Sequence, residues 1–576
     1  METTLSARLR SAAMFCSLAI VGCAGQPGAH TTAPPPDATP ASAAAPAAMP
    51  EPQASPAPAE AAPAPTSPEA ANDEGFAPGA EAEWYVDPAG KRYQLATYPK
   101  SYAHRRMDGG IVRTVWGIDI EVEREDEKFF YYRSFEVDPN AKGPSVELPK
   151  LTDEVKASYV VETPKVDRIS LVEFDKGLPR AGQWRNGLAV ADIDGDGQLD
   201  IIHGPARKRQ GPPVVFLGDG KGGWKRWSAT FPDFPYDYGC AAVGDLDGDG
   251  RLDIVLGVHL HGVVALVQKQ PGRFELWNRG LPYRMQRDEP LGFTSRAVTI
   301  VDWNGDKKPD IAALNEGPQL QIDRTPIEKT SDASYGVLVF INQGNGSWKS
   351  VPAGRTGAPG MFGDHLESID LDGDRRVDLV ASTNAQSRGD LLFYSGGTPG
   401  GRQGELGIRP AYIRSVAAAN FLGDRKVEIV TAFLSHELQD NWRTGLDLFE
   451  PEGKSGWKRR LLWVETGKRG LWALAAGDVD GDRNQDLVGL TGDAGAVMLL
   501  GDGRGGFAAQ QADIGPPAAG CHGYEVELVD LDGDGRDEIL AGFAGEPAGL
   551  PGIYSEPGCQ DGGSLRVWTT VPKAGG

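Results

Sequence analysis

The sequence is short of positive charge and of long apolar runs. Lysine and arginine number 58 against 80 aspartates and glutamates, so the formal net charge is -22. Binding to nucleic-acid phosphates needs clustered positive charge, and this balance argues against a nucleic-acid partner. A membrane-spanning helix needs roughly 20 apolar residues. The apolar run at 11–21 is shorter than that, and no other stretch of the sequence reaches it, so we expect no segment that spans a membrane.

Signatures of catalysis and of helical architecture are missing as well. The sequence contains no nucleophile elbow, P-loop or Rossmann glycine run, and no Ser/His/Asp or Cys/His set that spacing alone identifies. The 76 glycines and 43 prolines make up about a fifth of the chain. That share argues against a helical bundle or coiled coil and favours a fold rich in turns.

The first 22 residues are predicted to be a lipoprotein signal peptide. Arg8 and Arg10 precede the apolar run, as in secretory leaders. The run ends in Ile-Val-Gly-Cys, which resembles a bacterial lipobox and implies Cys23 as the lipidated first residue of the mature chain. Ordinary signal cleavage nearby is the alternative. Together with Ala24 after the cysteine, the resemblance implies a protein of the bacterial cell envelope that is lipid-anchored in the outer membrane.

Two further segments precede a long repetitive region. Residues 23–82 are rich in proline and alanine, a composition that buries too little apolar surface to fold, so we predict a disordered tether. Residues 83–160 alternate aromatic and β-branched residues with charged ones, for example at 111–116. This alternation predicts a small module of antiparallel strands, with hairpins that dock on the repetitive region as the alternative.

An acidic motif recurs seven times from residue 192 onward, at intervals of 50 to 68 residues. In its full form it reads Asp-x-Asp-Gly-Asp-x-x-x-Asp. An apolar strand precedes each copy, a short β-branched strand follows it, and a third strand leads to a glycine turn that closes on an aromatic residue such as Trp224. The interval suits a four-stranded propeller blade. We therefore predict an all-β chain, with a seven-bladed β-propeller of four-stranded antiparallel blades over 161–576.

Six of these motifs, together with the glycine turns, resemble the FG-GAP/VCBS repeats, whose best-known member is the propeller of integrin alpha subunits. The six begin at Asp192, Asp245, Asp302, Asp370, Asp478 and Asp530. The resemblance implies a β-propeller fold. It implies less about function, since propellers of this kind serve as adhesins, lectins, lyase scaffolds and periplasmic modules.

The same six motifs are predicted to bind Ca²⁺ at about six sites. Glycine at position 4 lets the chain turn so that oxygens of positions 1, 3, 5 and 9 converge, and position 7 adds a backbone carbonyl. So many carboxylates suit Ca²⁺ better than Mg²⁺. The predicted ligands are Asp192, Asp194, Asp196, Gln198, Asp200, Asp245, Asp247, Asp249, Arg251, Asp253, Asp302, Asn304, Asp306, Lys308, Asp310, Asp370, Asp372, Asp374, Arg376, Asp378, Asp478, Asp480, Asp482, Asn484, Asp486, Asp530, Asp532, Asp534, Arg536 and Glu538.

Two further expectations concern these motifs. In the fifth copy Leu422 replaces a ligand, and Asn420 and Glu428 replace two aspartates, which predicts an empty or weak site. In the other six, a loop that saturates its ion leaves no position open for a ligand, so the ions are expected to pin the turn between two strands. Direct recruitment of a ligand by the metal is the alternative.

The loops on the propeller face opposite the acidic motifs are predicted to form a ligand cup. Arginine can hold a carboxylate or phosphate through two hydrogen bonds, so a polar, aromatic and partly basic cup favours an anionic or polyhydroxylated ligand. Ordinary surface loops are the alternative. The predicted cup residues are Arg185, His203, Tyr238, His259, Arg296, His365, Arg414, Trp472 and Tyr524. A transition-metal site on the neighbouring His259 and His261 lacks the usual His or Cys spacing, so a structural role is favoured.

Two structural questions stay open at the level of sequence. Cys521 and Cys559 flank the last blade and form the best disulfide pair, with Cys240 left over, while three buried thiols are the alternative. Residues 169–174 and 564–570 compete for the strand that closes the ring.

The predicted function is that of an envelope-tethered, calcium-stabilised propeller that binds a carbohydrate or an envelope protein partner without catalysis. We expect a monomer that meets the membrane only through its lipid anchor. One alternative is a polysaccharide-active enzyme of the lyase or dehydratase type that uses the His, Arg and Tyr side chains of the cup. Another is an assembly scaffold whose cup has no ligand.

Overall fold

The structure, a computed structural model, describes the strands between residues 84 and 135 and most of residues 152–573. Outside the description from 152 onward lie residues 206–210, 286–292, 317–335, 354–362, 383–391, 395–402, 407, 410, 436, 439–441, 454–455, 468–469, 493–494, 516–520, 546–558, 560–562 and 574–576. The predicted signal peptide, Cys23 and the tether also lie outside the described residues. Among the described residues, no helix has the length and hydropathy needed to cross a membrane.

The first sheet of the chain has six antiparallel strands, in the order β1-β2-β6-β5-β4-β3, and falls within the segment for which a small β module is predicted. Its strands are β1 (Trp84–Val86), β2 (Arg92–Pro99), β3 (Ala103–Arg105), β4 (Ile111–Thr114), β5 (Asp119–Glu125) and β6 (Phe129–Phe135). One short helix follows, α1 (Asp153–Ala157), and Thr152 caps it by accepting the Val155 N–H at 3.2 Å. Two strands come next, β7 (Lys165–Val166) and β8 (Ile169–Glu173).

Seven further sheets, numbered here in chain order, carry the seven acidic motifs. Sheet one contains β9 (Leu188–Ala191), β10 (Asp200–His203), β11 (Val214–Gly218) and β12 (Trp224–Arg226), and sheet two contains β13 (Ala241–Gly244), β14 (Asp253–Val258), β15 (Gly262–Gln270) and β16 (Arg273–Leu276). Sheet three contains β17 (Ser295–Val301), β18 (Asp310–Asn315), β19 (Val337–Asn342) and β20 (Trp348–Pro352), and sheet four contains β21 (Leu366–Ile369), β22 (Asp378–Ala381), β23 (Leu392–Tyr394) and β24 (Gln403–Glu405). Sheets five to seven are β25 (Tyr412–Ala419), β26 (Glu428–Ser435), β27 (Arg443–Glu452) and β28 (Gly456–Thr466); β29 (Leu471–Gly477), β30 (Asp486–Thr491), β31 (Ala496–Gly501), β32 (Phe507–Gln510) and β7; β33 (His522–Val529), β34 (Glu538–Ala544), β35 (Leu565–Pro572) and β8.

Each sheet has the strand order that the repeat predicts. The main strands of sheets one to six lie side by side in chain order and pair antiparallel, as do the first three strands of sheet seven, and in every sheet the acidic motif connects the first strand to the second. First and second strands are mostly buried throughout, for example in β13 and β14, while in an outer strand such as β28 all residues but one are exposed or half-buried. The all-β fold with four-stranded antiparallel sheets is thus confirmed.

The last sheet is completed by the strand that precedes the first motif. In sheet seven, β35 is the third strand and β8 pairs antiparallel with it as the fourth, with Leu171 opposite Thr570. The two segments that competed for one place in the sequence therefore lie side by side. Cys521 and Cys559 form a disulfide in the same sheet region, as favoured from the sequence, and Cys240 is a free thiol.

Seven apolar clusters pack between the sheets, and each joins two of them. Val255 of sheet two packs in one cluster with Ile311 of sheet three, and Leu487 of sheet six packs in another with Val430 of sheet five. The same holds for every consecutive pair. A further cluster combines residues of sheet one and sheet seven. Burial of one such aliphatic side chain contributes about 1.5–3 kcal/mol, so these clusters account for much of the stability.

Candidate functional site

The ninth residue of each acidic motif is a buried carboxylate that opens the second strand of its sheet. Asp200 accepts the Ile193 N–H at 3.0 Å and the Gly218 N–H at 2.9 Å, so one side chain ties the motif to the third strand. In all seven motifs this carboxylate accepts the N–H of the second motif residue. The acceptors are Asp200, Asp253, Asp310, Asp378, Glu428, Asp486 and Glu538.

The earlier positions of the motif build the turn itself. Asp192 accepts the Gly195 N–H at 2.8 Å and the Gly197 N–H at 2.9 Å, and Asp194 accepts the Asp196 N–H at 3.1 Å. Gly195 at position 4 has a φ of 80°, a conformation that favours glycine. The carboxylates thus converge because each one accepts hydrogen bonds from backbone N–H groups of the same turn.

Position 6 also adopts a left-handed backbone, whether or not it is glycine. Four motifs place a long basic side chain there, with φ between 67° and 71°. These residues are Lys307, Arg375, Arg425 and Arg483. A non-glycine residue in this region is strained by about 1–2 kcal/mol, so the rest of the motif must impose the conformation.

Five of the motifs bring three carboxylates close enough to hold a metal ion. In each of these groups, one oxygen from every residue lies within 4.8 Å of the others. The groups are Asp192, Asp194 and Asp200; Asp245, Asp247 and Asp253; Asp370, Asp372 and Asp374; Asp478, Asp480 and Asp486; and Asp530, Asp532 and Glu538. The third motif, where Asn304 replaces a carboxylate, forms no such group among the described residues, and neither does the fifth.

Positions 5 and 7 differ from the simple ligand pattern. Arg251, Arg376 and Arg536 at position 7 turn their guanidinium groups back onto the position 5 aspartate of the same motif. Only the fourth motif includes position 5 in its group. The position 5 carboxylates of these three motifs are therefore partly neutralised by their own neighbours, which a spacing rule does not reveal.

Burial raises the pKa of the position 9 carboxyl in six of the seven motifs. It raises the pKa of Asp200 and Asp253 to about 7 and that of Asp486 to about 8, and neighbouring aspartates of the same motif add to the shift. Two or three carboxylates held together in this way repel one another unless a positive charge lies between them. A divalent cation bound by oxygen atoms would supply that charge.

A second polar region surrounds a cavity of about 50 Å³ at the first strands of the sheets. All seven first strands, or the residues that lead into them, contribute to its wall. They provide Arg185 and Asn186 before β9, Cys240 before β13, Ala297 and Val298 of β17, Leu366, Glu367 and Ser368 of β21 with Asp364 and His365 before it, Arg414 and Ser415 of β25, Trp472, Ala473 and Leu474 of β29, and Tyr524, Glu525, Val526 and Glu527 of β33.

Five of the nine predicted cup residues line this cavity, namely Arg185, His365, Arg414, Trp472 and Tyr524. The Arg185 Cζ lies 4.3 Å from the centroid of the Tyr524 ring, and the Arg414 Cζ lies 4.6 Å from that of Trp472. The Trp472 and Tyr524 ring centroids are 4.9 Å apart. Two arginines and two aromatic rings from different sheets thus form one continuous wall.

Three predicted cup residues lie beside the cavity in a network of ion pairs, which we call the Arg296 cluster. The Arg296 Nε lies 3.0 Å from Glu316 Oε2, its Nη2 pairs with Asp364, and its Nη1 donates to the Tyr238 hydroxyl at 3.4 Å. The His259 Nδ1 lies 2.6 Å from Glu316 Oε2. Burial acts to raise the pKa of Glu316, but His259 and Arg296 outweigh it and hold that pKa at about 2.

The remaining predicted cup residue, His203, lies in the core. Its side chain is 0% exposed, its ring meets Trp184 edge-on at 5.0 Å, and its Nδ1 lies 2.6 Å from the Gly204 carbonyl oxygen. Burial lowers the pKa of His203 to about 4, so the ring stays neutral near pH 7. The structure therefore separates His203 from the cavity. Among the described residues, no histidine belongs to a group that could hold a metal.

Three glutamates at the cavity escape the motif-based prediction, namely Glu367, Glu525 and Glu527. Burial raises the pKa of Glu525 to about 7 against the opposing effect of His365, and burial followed by Glu525 and Glu367 raises that of Glu527 well above its usual range. A signal was present in the sequence. Glu525 and Glu527 interrupt an apolar strand at a spacing of two, which places both on one face.

Taken together, the fold and the two polar regions define a class: an all-β repeat protein in which each four-stranded sheet carries an acidic turn after its first strand. The FG-GAP-like repeat model matches residues 206–256, 302–381 and 478–541. These regions contain motifs two, three, four, six and seven. The chain therefore contains FG-GAP-like repeats, as the motifs predicted.

Two solved structures resemble the chain at a TM-score of 0.40. They are crystal structures of BBS1N in complex with ARL6DN, one soaked with lead and one with mercury. Each covers 70% of this chain and 97% of the other, with 10% identity for the first and 11% for the second. Among curated proteins, no match to the chain was found.

Proposed function

We propose that the chain is a calcium-stabilised, seven-bladed β-propeller that binds a carbohydrate or protein partner at the cavity, without catalysis. The observation that carries this proposal is the cavity wall itself, to which the first strands of all seven sheets or the residues leading into them contribute. Ligand sites are typically concave and combine aromatic side chains with a few convergent polar groups. Arg185, Arg414, Trp472 and Tyr524 supply that combination.

The closed ring is supported by packing. Six apolar clusters join consecutive sheets, and a seventh combines Leu188 of sheet one with Leu540 of sheet seven. The antiparallel pairing of β8 with β35 supports closure independently, because a strand that leads into sheet one completes sheet seven. A sheet buried on both faces needs a neighbour on each side, and a ring of seven provides one for every sheet.

The calcium assignment is supported by the five carboxylate groups and their backbone. A hard, oxygen-preferring cation of flexible coordination suits such groups. The ions would hold the turn between first and second strands rather than bind the partner, because the acidic turns and the cavity involve different residues. On this proposal, the lipid anchor at Cys23 and the tether of residues 23–82 hold the propeller away from the outer membrane.

A direct test offers the purified protein a panel of acidic and neutral polysaccharides in millimolar Ca²⁺. Retention of polysaccharide and shortening of its chains are measured in the same samples. Retention without shortening is the expected result. Absence of retention for every polysaccharide would contradict the carbohydrate form of the proposal and leave a protein partner from the envelope as the ligand to seek.

Shortening of the chains would favour the second candidate, a polysaccharide-active enzyme. One observation favours it specifically: Glu525, whose pKa is raised to about 7, shares the cavity with His365 and Glu367. The His365 Nε2 lies 3.3 Å from Glu367 Oε2. A carboxyl that titrates near neutral pH is suited to general acid–base work. Loss of shortening in Glu525→Gln, with retention intact, would then identify the acid or base.

A further inference from the structure

We propose that the cavity binds a carboxylated sugar, free or at the end of a polysaccharide, with the carboxylate held between Arg185 and Arg414 and hydroxyl groups turned toward the glutamates. This inference rests on the proposed function, because it names the ligand class of the same cavity.

The arginines around the cavity fall into two kinds. The charge of Arg296 is already neutralised, because Arg296 forms ion pairs with both Glu316 and Asp364. Within the described residues, Arg185 and Arg414 have no ion pair with a carboxylate, and the hydrogen bond of Arg185 runs from its Nε to Asn186 Oδ1 at 3.1 Å. Both guanidinium groups lie over aromatic rings instead. A ring covers the face of a guanidinium and leaves N–H groups at its edge available to a planar acceptor.

The charge of the surroundings agrees with an acceptor near these two arginines. Burial acts to raise the pKa of the Asp364 carboxyl, but the positive charges of Arg296, Arg414 and Arg185 outweigh it and hold the pKa below its ordinary value. One carboxylate thus faces three guanidinium groups. A second carboxylate, brought by a ligand, could form paired hydrogen bonds with Arg185 or Arg414, which have no carboxylate partner of their own among the described residues.

The glutamate side of the cavity sets a condition on the rest of the ligand. Burial raises the pKa of Glu525 to about 7 and that of Glu527 well above its usual range, so near neutral pH these carboxyl groups can donate as well as accept hydrogen bonds. Ser415 lines the same wall, is 2% exposed, and its Oγ has no hydrogen-bond partner among the described residues. Buried hydroxyl groups are normally hydrogen-bonded, so a ligand group that bonds to the Ser415 hydroxyl would be favoured. Carboxyl acceptors beside a hydroxyl that both donates and accepts suit ligand hydroxyl groups, which also do both.

The size of the cavity selects how much of the sugar enters. A volume of about 50 Å³ accommodates a few water molecules. A whole sugar ring would not fit, so the carboxylate and adjacent hydroxyls enter while the ring stays at the opening. That arrangement suits the terminal unit of a chain as well as a free sugar.

The test uses the full-length protein and isothermal titration with oligogalacturonate, and with the same oligomer after methyl esterification, which removes the charge and keeps the shape. Free galacturonate and glucuronate distinguish a free sugar from a chain end, and glycine tests an amino acid, whose ammonium group only donates. We expect the acid oligomer to bind at least tenfold more tightly than its ester, and glycine not to bind.

Four variants locate the site. Arg185→Gln and Arg414→Gln should each weaken binding of the acid oligomer by about tenfold or more, a loss of roughly 1.4 kcal/mol. Arg414→Lys keeps the charge but not the planar fork and should fall between. Arg459→Gln removes a positive charge from the exposed part of β28 and should change nothing. A melting curve for each variant checks that it folds. If Arg185→Gln does not fold, Arg185→Lys is measured in its place.

Each contrary result has a distinct meaning. Equal binding of the acid and the ester would overturn the carboxylate inference while leaving carbohydrate binding intact. Acid-specific binding that survives both arginine substitutions would overturn the location. Binding of glycine in preference to the sugars would overturn the ligand class. Binding of neutral polysaccharides alone would overturn the inference and support the proposed function. Absence of all saccharide binding would overturn the inference and leave only the protein-partner form of the proposed function.

Discussion

The acidic turns and the cavity both concentrate carboxylates, but they do so in different ways. In a turn the carboxylates lie within nine consecutive residues, and each accepts an N–H of the backbone it folds, as Asp192 does from Gly195 and Gly197. In the cavity, Glu367 lies on β21 of sheet four and the other two glutamates lie on β33 of sheet seven. The same cavity is lined by arginines and aromatic rings from sheets one, five, six and seven. The turns repeat with small variation, whereas no two sheets give the cavity the same set of side chains. The contacts of the turns are therefore distributed over the repeat, whereas the cavity brings together side chains that do not repeat.

Removal of divalent cations should have the largest effect and should act on the turns. A ligand at 100 times its Kd stabilises the folded state by about 2.7 kcal/mol per site, so five sites would contribute more than 10 kcal/mol. We expect the melting temperature to fall by more than 10 °C when chelator replaces millimolar Ca²⁺, and to recover when Ca²⁺ is restored. Identical melting curves in chelator and in Ca²⁺ would contradict the proposal that Ca²⁺ stabilises the fold.

A matched pair of glutamates distinguishes the stabilisation that comes from a bound metal ion from the stabilisation that comes from the hydrogen bonds of the turn. Glu428 and Glu538 hold position 9 in the fifth and seventh motifs, and burial raises the pKa of each to about 7. Only Glu538 belongs to a group that could hold a metal. In chelator, Glu428→Gln and Glu538→Gln should each change the free energy of unfolding by about 1 kcal/mol. In Ca²⁺, Glu538→Gln should lose roughly 2–3 kcal/mol more. Equal losses in both buffers would show that the seventh motif holds no ion.

The pH dependence of stability should sharpen the description of the cavity. Burial raises the pKa of Glu525 from 4.5 to about 7, so between these values the folded state holds a proton that the unfolded state has released. Stability must then fall as the pH rises from about 4.5 through 7. Urea unfolding in saturating Ca²⁺ should show a decline between pH 5 and pH 8 that is larger in the natural protein than in Glu525→Gln, by on the order of 2 kcal/mol. Parallel declines would contradict the shift.

The smallest expected effect concerns position 6 of the motif. Lys307 has a φ of 67°, and glycine would relieve that strain while adding conformational freedom to the unfolded chain. Lys307→Gly should therefore raise the free energy of unfolding by about 0.5–1 kcal/mol, measured by urea unfolding. The adjacent Lys308 is the control, because its φ is not positive and Lys308→Gly should destabilise. Destabilisation by both substitutions would mean that the Lys307 side chain contributes contacts that outweigh its strain.

Much of the fold was predictable because its signals are local. The motif predicted the connection between first and second strands in all seven sheets, and position 9 opens the second strand every time. The disulfide between Cys521 and Cys559 is the preferred pairing in the sequence because both cysteines flank the last blade, whereas spacing leaves three buried thiols open as the alternative. What spacing did not reveal was the competition inside the motif, where Arg251, Arg376 and Arg536 draw the position 5 carboxylates to themselves.

The candidate site was predictable only in part. Arg185, His365, Arg414, Trp472 and Tyr524 line one cavity, as expected of residues that lead into first strands. The sequence predicts His203 in the cup as well, but the packing of its ring against Trp184 puts it in the core. Position in a loop or near a strand end does not state which way a side chain points, and one residue along a strand reverses its face.

The sequence by itself determined the repeat, the four-stranded sheets and the acidic turns, because those features depend on groups within a few residues of each other. Tertiary structure alone decided which arginines are neutralised and which are not. Arg296 meets Glu316 and Asp364, while Arg185 and Arg414 meet aromatic rings. These partners are far apart in the chain and come together only when the sheets pack side by side, so no local pattern can distinguish one arginine from another.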